Sequence, residues 1–228
     1  MTVSLSELDD LFVQRHSCRG FKTDQVPQET IEQIVNTARR VPSWCNAQPW
    51  QITVTSGAET DKFRAELMKM ATESSAGLGA GSDLPFPTSY SGVYQSRRRS
   101  CGWALYRAVG VGKGDRGASA REMMKNFELF GAPHVAIVTS PTELGAYGAM
   151  DCGGFVAAFT LAATAAGVAT VPQAALATFA PFLHEYFDIP EDRMILCGIS
   201  FGYADPDHPA NSFRTTRAEV DDIIDWRS

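Results

Sequence analysis

Apolar residues recur with helical spacing in the first quarter of the chain. A helix is predicted to begin at Pro27, since proline is favoured in a first turn, and to end before Pro42. Its apolar residues stand three or four positions apart, at Ile31, Ile34, Val35 and Ala38. A preceding helix is predicted over residues 6–14. The polar segments beside these helices therefore lie in loops, where binding sites are often built.

Three segments have the pattern of β-strands. Residues 50–55 alternate between apolar and polar, while 134–139 and 193–201 are short apolar runs typical of buried strands. The remaining periodic segments predict helices over residues 59–72, 94–109, 119–130, 147–167 and 178–187. Helices outnumber strands and do not alternate regularly with them. The pattern therefore predicts an α+β fold in a single domain over residues 1–228.

Glycine, serine and proline are concentrated between residues 74 and 92. A loop of this length inside a domain is often a lid or a binding loop. We therefore predict that residues 74–130 form a lid or substrate region. Its aromatic side chains are expected to be divided between core and pocket: Phe86, Tyr90, Tyr94, Phe127 and Phe130.

One long segment, residues 152–171, contains no charged residue. It is built largely from alanine, glycine and threonine, which are poor membrane-spanning residues compared with leucine or isoleucine. The composition favours a buried helix whose small residues permit close approach of another helix.

Composition limits the classes of partner. The 228 residues carry a formal net charge of −6, with a pI of about 5.2, so neither nucleic acid nor an anionic membrane is expected as the main partner. Five cysteines without a C-x-x-C pair predict free, mostly buried thiols in a reducing cytoplasm. The N-terminus has no signal-peptide pattern, and four scattered histidines predict no metal site.

Two polar segments carry the candidate chemistry. Arg15-His16-Ser17-Cys18-Arg19 offers two guanidinium groups, an imidazole and a hydroxyl, a set suited to an anion such as a phosphate. Residues 42–50 place a hydroxyl and two carboxamides between prolines, which suits a planar polar heterocycle. Together they indicate a nucleotide-like cofactor bound without a glycine-rich loop.

These segments also resemble a known family. Arg15 to Phe21, Pro42 to Trp50, Gly198 to Tyr203 and Pro209 to Arg217 resemble, in the same order, the FMN-dependent nitroreductases. The resemblance implies a central mixed or antiparallel sheet flanked by helices, in an intertwined homodimer whose C-terminal segment embraces its partner.

The resemblance also implies roles for individual residues. The phosphate and the ring edge of FMN would be contacted by Arg15, Ser17 and Arg19, with His16 beside the ribityl chain and Arg214 and Arg217 at the phosphate. A loop that reaches the flavin of the other subunit would supply Pro42, Ser43, Trp44, Asn46 and Gln48. Backbone groups near flavin N5 would come from Pro172, Gln173, Ala174 and Ala175. Trp44 departs from the small residue common in the family, and it would narrow the site or stack on a substrate.

The implied function is an FMN-dependent NAD(P)H oxidoreductase with a ping-pong mechanism, in which hydride passes through flavin N5 and no side chain acts as acid, base or nucleophile. Nitroaromatic compounds are the expected acceptors, with quinones second. The alternatives are a specialised reductive dehalogenase, dehydrogenase or activated-alkene reductase, or a flavin-binding protein without catalysis.

Three further charged features have ordinary interpretations. Arg97-Arg98-Arg99 is expected to be a solvated helical face, with recognition of the 2′-phosphate of NADPH as the alternative. Asp83 and Asp115 are expected to be solvated surface carboxylates.

Overall fold

A four-stranded antiparallel sheet forms the centre of the computed structural model, which describes residues 4–74 and 81–227. Its strands are β1 (Gln51–Thr55), β2 (His134–Pro141), β3 (Ala169–Gln173) and β4 (Arg193–Gly202). The helices are α1 (Leu5–Gln14), α2 (Gln28–Ala38), α3 (Gly57–Glu73), α4 (Gly92–Ala108), α5 (Arg116–Met124), α6 (Gly145–Ala165) and α7 (Ala180–Phe187). The predicted α+β class is confirmed.

The strands lie in the order β1-β2-β4-β3, so β1 and β3 are the two edges. The central pair β2 and β4 runs from His134 opposite Phe201 to Pro141 opposite Arg193, with one irregularity after Val138. Strand β3 was missed by the sequence pattern, because it is short and contains Pro172. Proline has no backbone N–H to donate to a neighbouring strand. It is tolerated in an edge strand such as β3, which pairs with a strand on one side only.

Two helix predictions were too long. Helix α5 ends at Met124 rather than at residue 130, because the chain turns through Leu129 and Phe130 with positive φ angles of 55° and 52°. Helix α7 begins at Ala180, after a 3-10 turn over Ala174–Phe179. Residues 81–91 of the predicted 74–92 loop have no helix or strand, whereas 75–80 lie outside the described residues.

Each face of the sheet is covered by its own apolar cluster. On one face α2 and α6 contribute Ile34, Phe155 and Phe159, and on the other α3 and α7 contribute Phe63 and Leu183. Trp50 stacks on Phe155, with 5.5 Å between ring centroids, and thereby ties the start of β1 to α6.

Helix α6 is the apolar segment anticipated from the sequence. With the turn before it, Thr142–Ala165 is the one helix within the described residues that is long and apolar enough to cross a membrane, by length and composition. Its buried residues, among them Cys152, Phe155 and Phe159, pack on the sheet and on α2. Its small residues allow this close packing.

The close approach of α6 to β2 predicts a stability effect at Gly148. A Cβ atom there would lie 2.9 Å from Cβ of Leu144 and nearer still to the Ser140 hydroxyl. We expect Gly148→Ala to lower the free energy of unfolding by about 1–3 kcal/mol in urea titrations. The matched control is Gly153→Ala in the same helix, where a Cβ meets nothing within 4 Å, and where alanine should raise stability by about 0.5–1 kcal/mol. Equal effects at the two positions would contradict the packing argument.

Candidate functional site

Both ends of the chain meet in one cavity of about 530 Å³, here called the arginine cavity. It collects six of the residues that the sequence singled out: Arg15, His16, Ser17, Arg19, Arg214 and Arg217. The N-terminal segment is held against edge strand β3, because the Cys18 N–H donates to the Thr170 carbonyl at 2.9 Å. Six residues from the two ends of the chain therefore share one cavity.

The Asn211 side chain joins the C-terminal tail to this segment by hydrogen bonds. Its Oδ1 accepts from the Arg19 N–H at 2.7 Å, and its Nδ2 donates to the carbonyls of Gly20 and Asp205, both at 2.9 Å. This buried carboxamide satisfies three backbone groups at once, so the tail arginines are brought to the first cluster by a specific contact rather than by charge.

The guanidinium groups of the cavity have no acidic partner. Within residues 4–74 and 81–227, no salt bridge involves Arg15, Arg19, Arg214 or Arg217. Partial burial, and for Arg15 also the charge of Arg217, lowers the pKa of Arg15 and Arg19 from the ordinary arginine value. Each nevertheless stays protonated, since arginine is not deprotonated in proteins. A cluster of uncompensated, partly desolvated cations is a site for an anion.

His16 lies among these cations, in surroundings that favour the neutral ring. Burial lowers its pKa first, and the charges of Arg214, Arg15 and Arg19 lower it further, against the raising effect of a hydrogen bond to the Gln14 carbonyl. In the neutral form Nδ1–H donates to that carbonyl at 3.0 Å, which leaves Nε2 as an acceptor. His16 Nε2 can therefore accept a hydrogen bond from a ligand hydroxyl without adding charge to the cavity.

The tail arginines keep free donors. Arg214 Nη1 donates to the carbonyls of Asn211 and Phe213, and Arg217 Nη1 donates to Thr215 Oγ1 at 2.9 Å and to the Thr216 carbonyl at 3.0 Å. Arginine has five N–H donors, so one nitrogen orients each side chain while the others remain available for a ligand.

The segment 42–48 does not join the arginine cavity within one chain. It leads into β1, the opposite edge of the sheet, and three strand spacings separate the edges by about 14 Å. Cys45, Asn46 and Gln48 have positive φ angles of 50°, 56° and 51°, a conformation that costs non-glycine residues energy and clusters at functional sites.

Two contacts hold this strained loop. The Trp44 N–H donates to Asp151 Oδ2 at 3.0 Å, and the Gln48 N–H donates to Ser43 Oγ at 2.9 Å. The Trp44 ring lies 5.0 Å from that of Tyr147 and is 62% exposed. Pro42, Asn46 and Gln48 are likewise exposed, whereas Ser43 is half-buried, so the loop presents its two carboxamides outward from the chain.

The segment after β3 divides between interior and surface. The Gln173 side chain is buried, where Oε1 accepts from Ser200 Oγ at 2.5 Å and Nε2 donates to the Asn126 carbonyl at 2.8 Å. Pro172 is half-buried, Ala174 is exposed and Ala175 is half-buried. Any polar contact from this segment to a ligand therefore falls to the backbone of Ala174 and Ala175.

Other lining residues escaped the sequence analysis. The arginine cavity is also lined by Asp9, Phe12, Val13, Cys101, Phe213 and Thr215. Phe12 and Val13 lie in the last turn of α1, a helix that contains no buried residue, and the sequence offered only an adjacent apolar pair at this place.

Asp83 and Asp115 are exposed, as expected, and each also makes specific contacts. Asp83 Oδ2 accepts from the Ile195 N–H at 2.7 Å and lies 2.9 Å from His184 Nε2. Asp115 caps α5 by accepting from the Ala118 N–H at 2.8 Å.

The expectation of mostly buried thiols was wrong. The five cysteines are free, but only Cys18 and Cys152 are buried, whereas Cys45 and Cys101 are exposed.

An antiparallel sheet flanked by helices, with an arginine-lined cavity built from both chain ends, defines an α+β protein with a site for an anionic ligand. The sequence model of the Nitroreductase family matches residues 12–203. The chain therefore belongs to the nitroreductase family, and it is an enzyme of the oxidoreductase class.

Individual relatives agree with this assignment. Nitroreductase NfnB of Mycolicibacterium smegmatis is 34% identical, over 95% of this chain and 92% of its own length. A 4-nitrobenzoate reductase of Nocardioides sp. is 31% identical, over 96% and 89%. The crystal structure of the FMN-dependent nitroreductase NfnB from Mycobacterium smegmatis in complex with NADPH has a TM-score of 0.91 at 32% identity, covering 99% of this chain and 100% of that chain.

Proposed function

We propose that this protein is an FMN-dependent NAD(P)H oxidoreductase that reduces nitroaromatic compounds. The observation that carries the proposal is the arginine cavity, with four guanidinium groups that have no acidic partner in the described chain. The named activities of the relatives, nitroreductase and 4-nitrobenzoate reductase, support the choice of acceptor.

The lining fits the phosphate end of FMN. Arg15, Arg19, Arg214 and Arg217 would bind the phosphate with Ser17, and neutral His16 would accept from a ribityl hydroxyl. The backbone of Pro172, Gln173, Ala174 and Ala175 would border the ring, with an N–H of Ala174 or Ala175 directed at N5. When bound, the flavin supplies the chemistry, accepting hydride at N5 from the nicotinamide and passing it to the acceptor.

We infer that the active form is a homodimer. Helices α1 and α5 contain no buried residue in the single chain. Exposed apolar side chains cover several surfaces, among them Leu5, Val13, Trp44, Tyr147, Met150, Val220 and Trp226. Exposure on this scale marks an interface. In such a dimer Ser43, Asn46 and Gln48 would reach the flavin held by the partner.

The decisive experiment uses the purified protein. We expect a yellow protein with one non-covalent FMN per chain and, by light scattering, twice the 24.7 kDa mass of one chain. The colour should bleach on addition of NADPH under argon and return on addition of 4-nitrobenzoate. A colourless protein that takes up no FMN would refute the proposal, and a yellow protein that never bleaches would be a flavin carrier.

We further propose that quinones serve as acceptors and that the mechanism is ping-pong. A single pocket admits donor and acceptor in turn, so the oxidised nicotinamide leaves before the acceptor binds. Initial rates with NADPH and either 4-nitrobenzoate or a benzoquinone are expected to give parallel double-reciprocal lines. Intersecting lines would require both substrates to bind at the same time and would exclude this order.

A further inference from the structure

A second cavity, of about 750 Å³, adjoins the arginine cavity and shares Cys101, Arg214, Thr215 and Arg217 with it. Its other wall is one face of α4. The residues that α4 contributes follow helical spacing: Ser96, Arg97, Ser100, Cys101, Ala104 and Arg107. The volume lies within the range of small-molecule sites.

The three consecutive arginines Arg97, Arg98 and Arg99 have different surroundings on α4. Arg97 lines the second cavity, together with Arg107 ten positions further along the helix. Arg98 instead lies over the Tyr90 ring, 5.2 Å from its centroid, and Arg99 does not line the cavity. All three arginines are exposed, as expected for a solvated face, and Arg97 in addition lines a cavity.

The two cavities together hold more positive charge than one flavin phosphate needs. Six arginines line them: Arg15, Arg19, Arg97, Arg107, Arg214 and Arg217. The neighbouring carboxylates are Asp9, which lines the arginine cavity, and Asp222, whose Oδ2 is 3.8 Å from Arg97 Nη2. A phosphate monoester carries up to about two negative charges, so about two positive charges remain uncompensated. In a chain of net charge −6 this surplus marks a second anion site.

The shape of the site favours an elongated ligand with more than one charged group. Ten helical residues place the backbones of Arg97 and Arg107 about 15 Å apart. At this separation the two side chains are better placed to bind two charged groups than one phosphate. Arg97 is partly neutralised by Asp222, whereas Arg107 forms no salt bridge in the described chain. The hydroxyls of Ser100 and Thr215 also line this cavity and can donate hydrogen bonds.

We propose that the second cavity binds the adenosine half of NADPH, with the 2′-phosphate at Arg107 and the diphosphate towards Arg97. This inference rests on the proposed function, in which a nicotinamide nucleotide is the hydride donor. Since NADH lacks the 2′-phosphate, Arg107 would set the preference for NADPH.

The test compares Arg107→Ala with Arg98→Ala, a matched loss of one positive charge from the same helix outside the cavity. We expect Arg107→Ala to lower kcat/KM for NADPH about tenfold or more, since a hydrogen bond to a charged group is lost, and to leave kcat/KM for NADH within about twofold. Arg98→Ala should change neither value.

A binding measurement is independent of turnover. Calorimetric titration with adenosine 2′,5′-bisphosphate should show about tenfold weaker binding to Arg107→Ala than to wild type, with adenosine 5′-monophosphate unaffected. Equal losses with NADPH and NADH, an Arg98→Ala effect as large as that of Arg107→Ala, or unchanged bisphosphate binding would each overturn the inference. A protein that binds no FMN would refute the proposed function instead, while the bisphosphate titration would still decide the role of Arg107.

Discussion

Alanine at Arg19 or at Arg217 is expected to weaken FMN binding roughly 10- to 100-fold. Each guanidinium would bind the flavin phosphate, and a hydrogen bond to a charged group contributes roughly 1.5–3 kcal/mol. Arg19 is half-buried, and its guanidinium carbon lies 5.8 Å from the Phe130 ring centroid, so its position is set by packing before any ligand binds. The measurement is quenching of FMN fluorescence on titration with apoprotein.

The control for this pair is Arg39→Ala. Arg39 is an exposed residue at the end of α2, where its Nε donates to Asn36 Oδ1, and it does not line the arginine cavity. The Arg39→Ala variant should keep the wild-type FMN affinity, and circular dichroism should show that all three variants are folded. Wild-type FMN affinity in both Arg19→Ala and Arg217→Ala would move the phosphate site elsewhere.

The second large effect is expected at Phe155, where alanine should lower the free energy of unfolding by about 3–5 kcal/mol. The ring is 1% exposed and contacts Trp50 at 5.5 Å and Phe159 at 6.2 Å, between ring centroids. Its removal leaves a cavity between α6 and the sheet that these rigid neighbours cannot fill. Urea denaturation monitored by tryptophan fluorescence measures the loss.

Phe155→Leu is the matched variant, because it keeps a branched apolar side chain in the same place. Its loss should be less than half that of alanine. Because Trp50 stacks on the Phe155 ring, Phe155→Ala should also shift the tryptophan fluorescence of the folded state. A loss below about 1 kcal/mol for alanine would mean that the site is already loosely packed.

Much of the fold followed from local patterns. The spacing of Ile31, Ile34, Val35 and Ala38 located α2 because the helical period repeats within a few residues. Central strands β2 and β4 are buried on both faces, and their apolar runs therefore stood out. Edge strand β3 was not recognised in the sequence. Its extended conformation depends on pairing with β4, and its five residues have no strand pattern of their own.

The candidate site was likewise predicted only in part from the sequence. Residue type alone indicated an anion site at Arg15, Ser17 and Arg19, and family resemblance extended it to the tail. Neither could show that Asn211 joins the two ends, because residues 19 and 211 become neighbours only when the chain folds. The roles assigned to individual residues at the flavin remain predictions.

The sequence by itself determined the fold class, because helical period and strand composition are local properties of the chain. The resemblance of its ordered motifs indicated the family, and the donor types of residues 15–19 predicted an anionic ligand. The tertiary structure alone decided which charges share a cavity. Arg97 and Arg98 are adjacent and identical in the sequence, yet a helix turns successive side chains by about 100°, so one lines a cavity and the other stacks on Tyr90. Distances between distant segments are set by packing, and no local pattern encodes them.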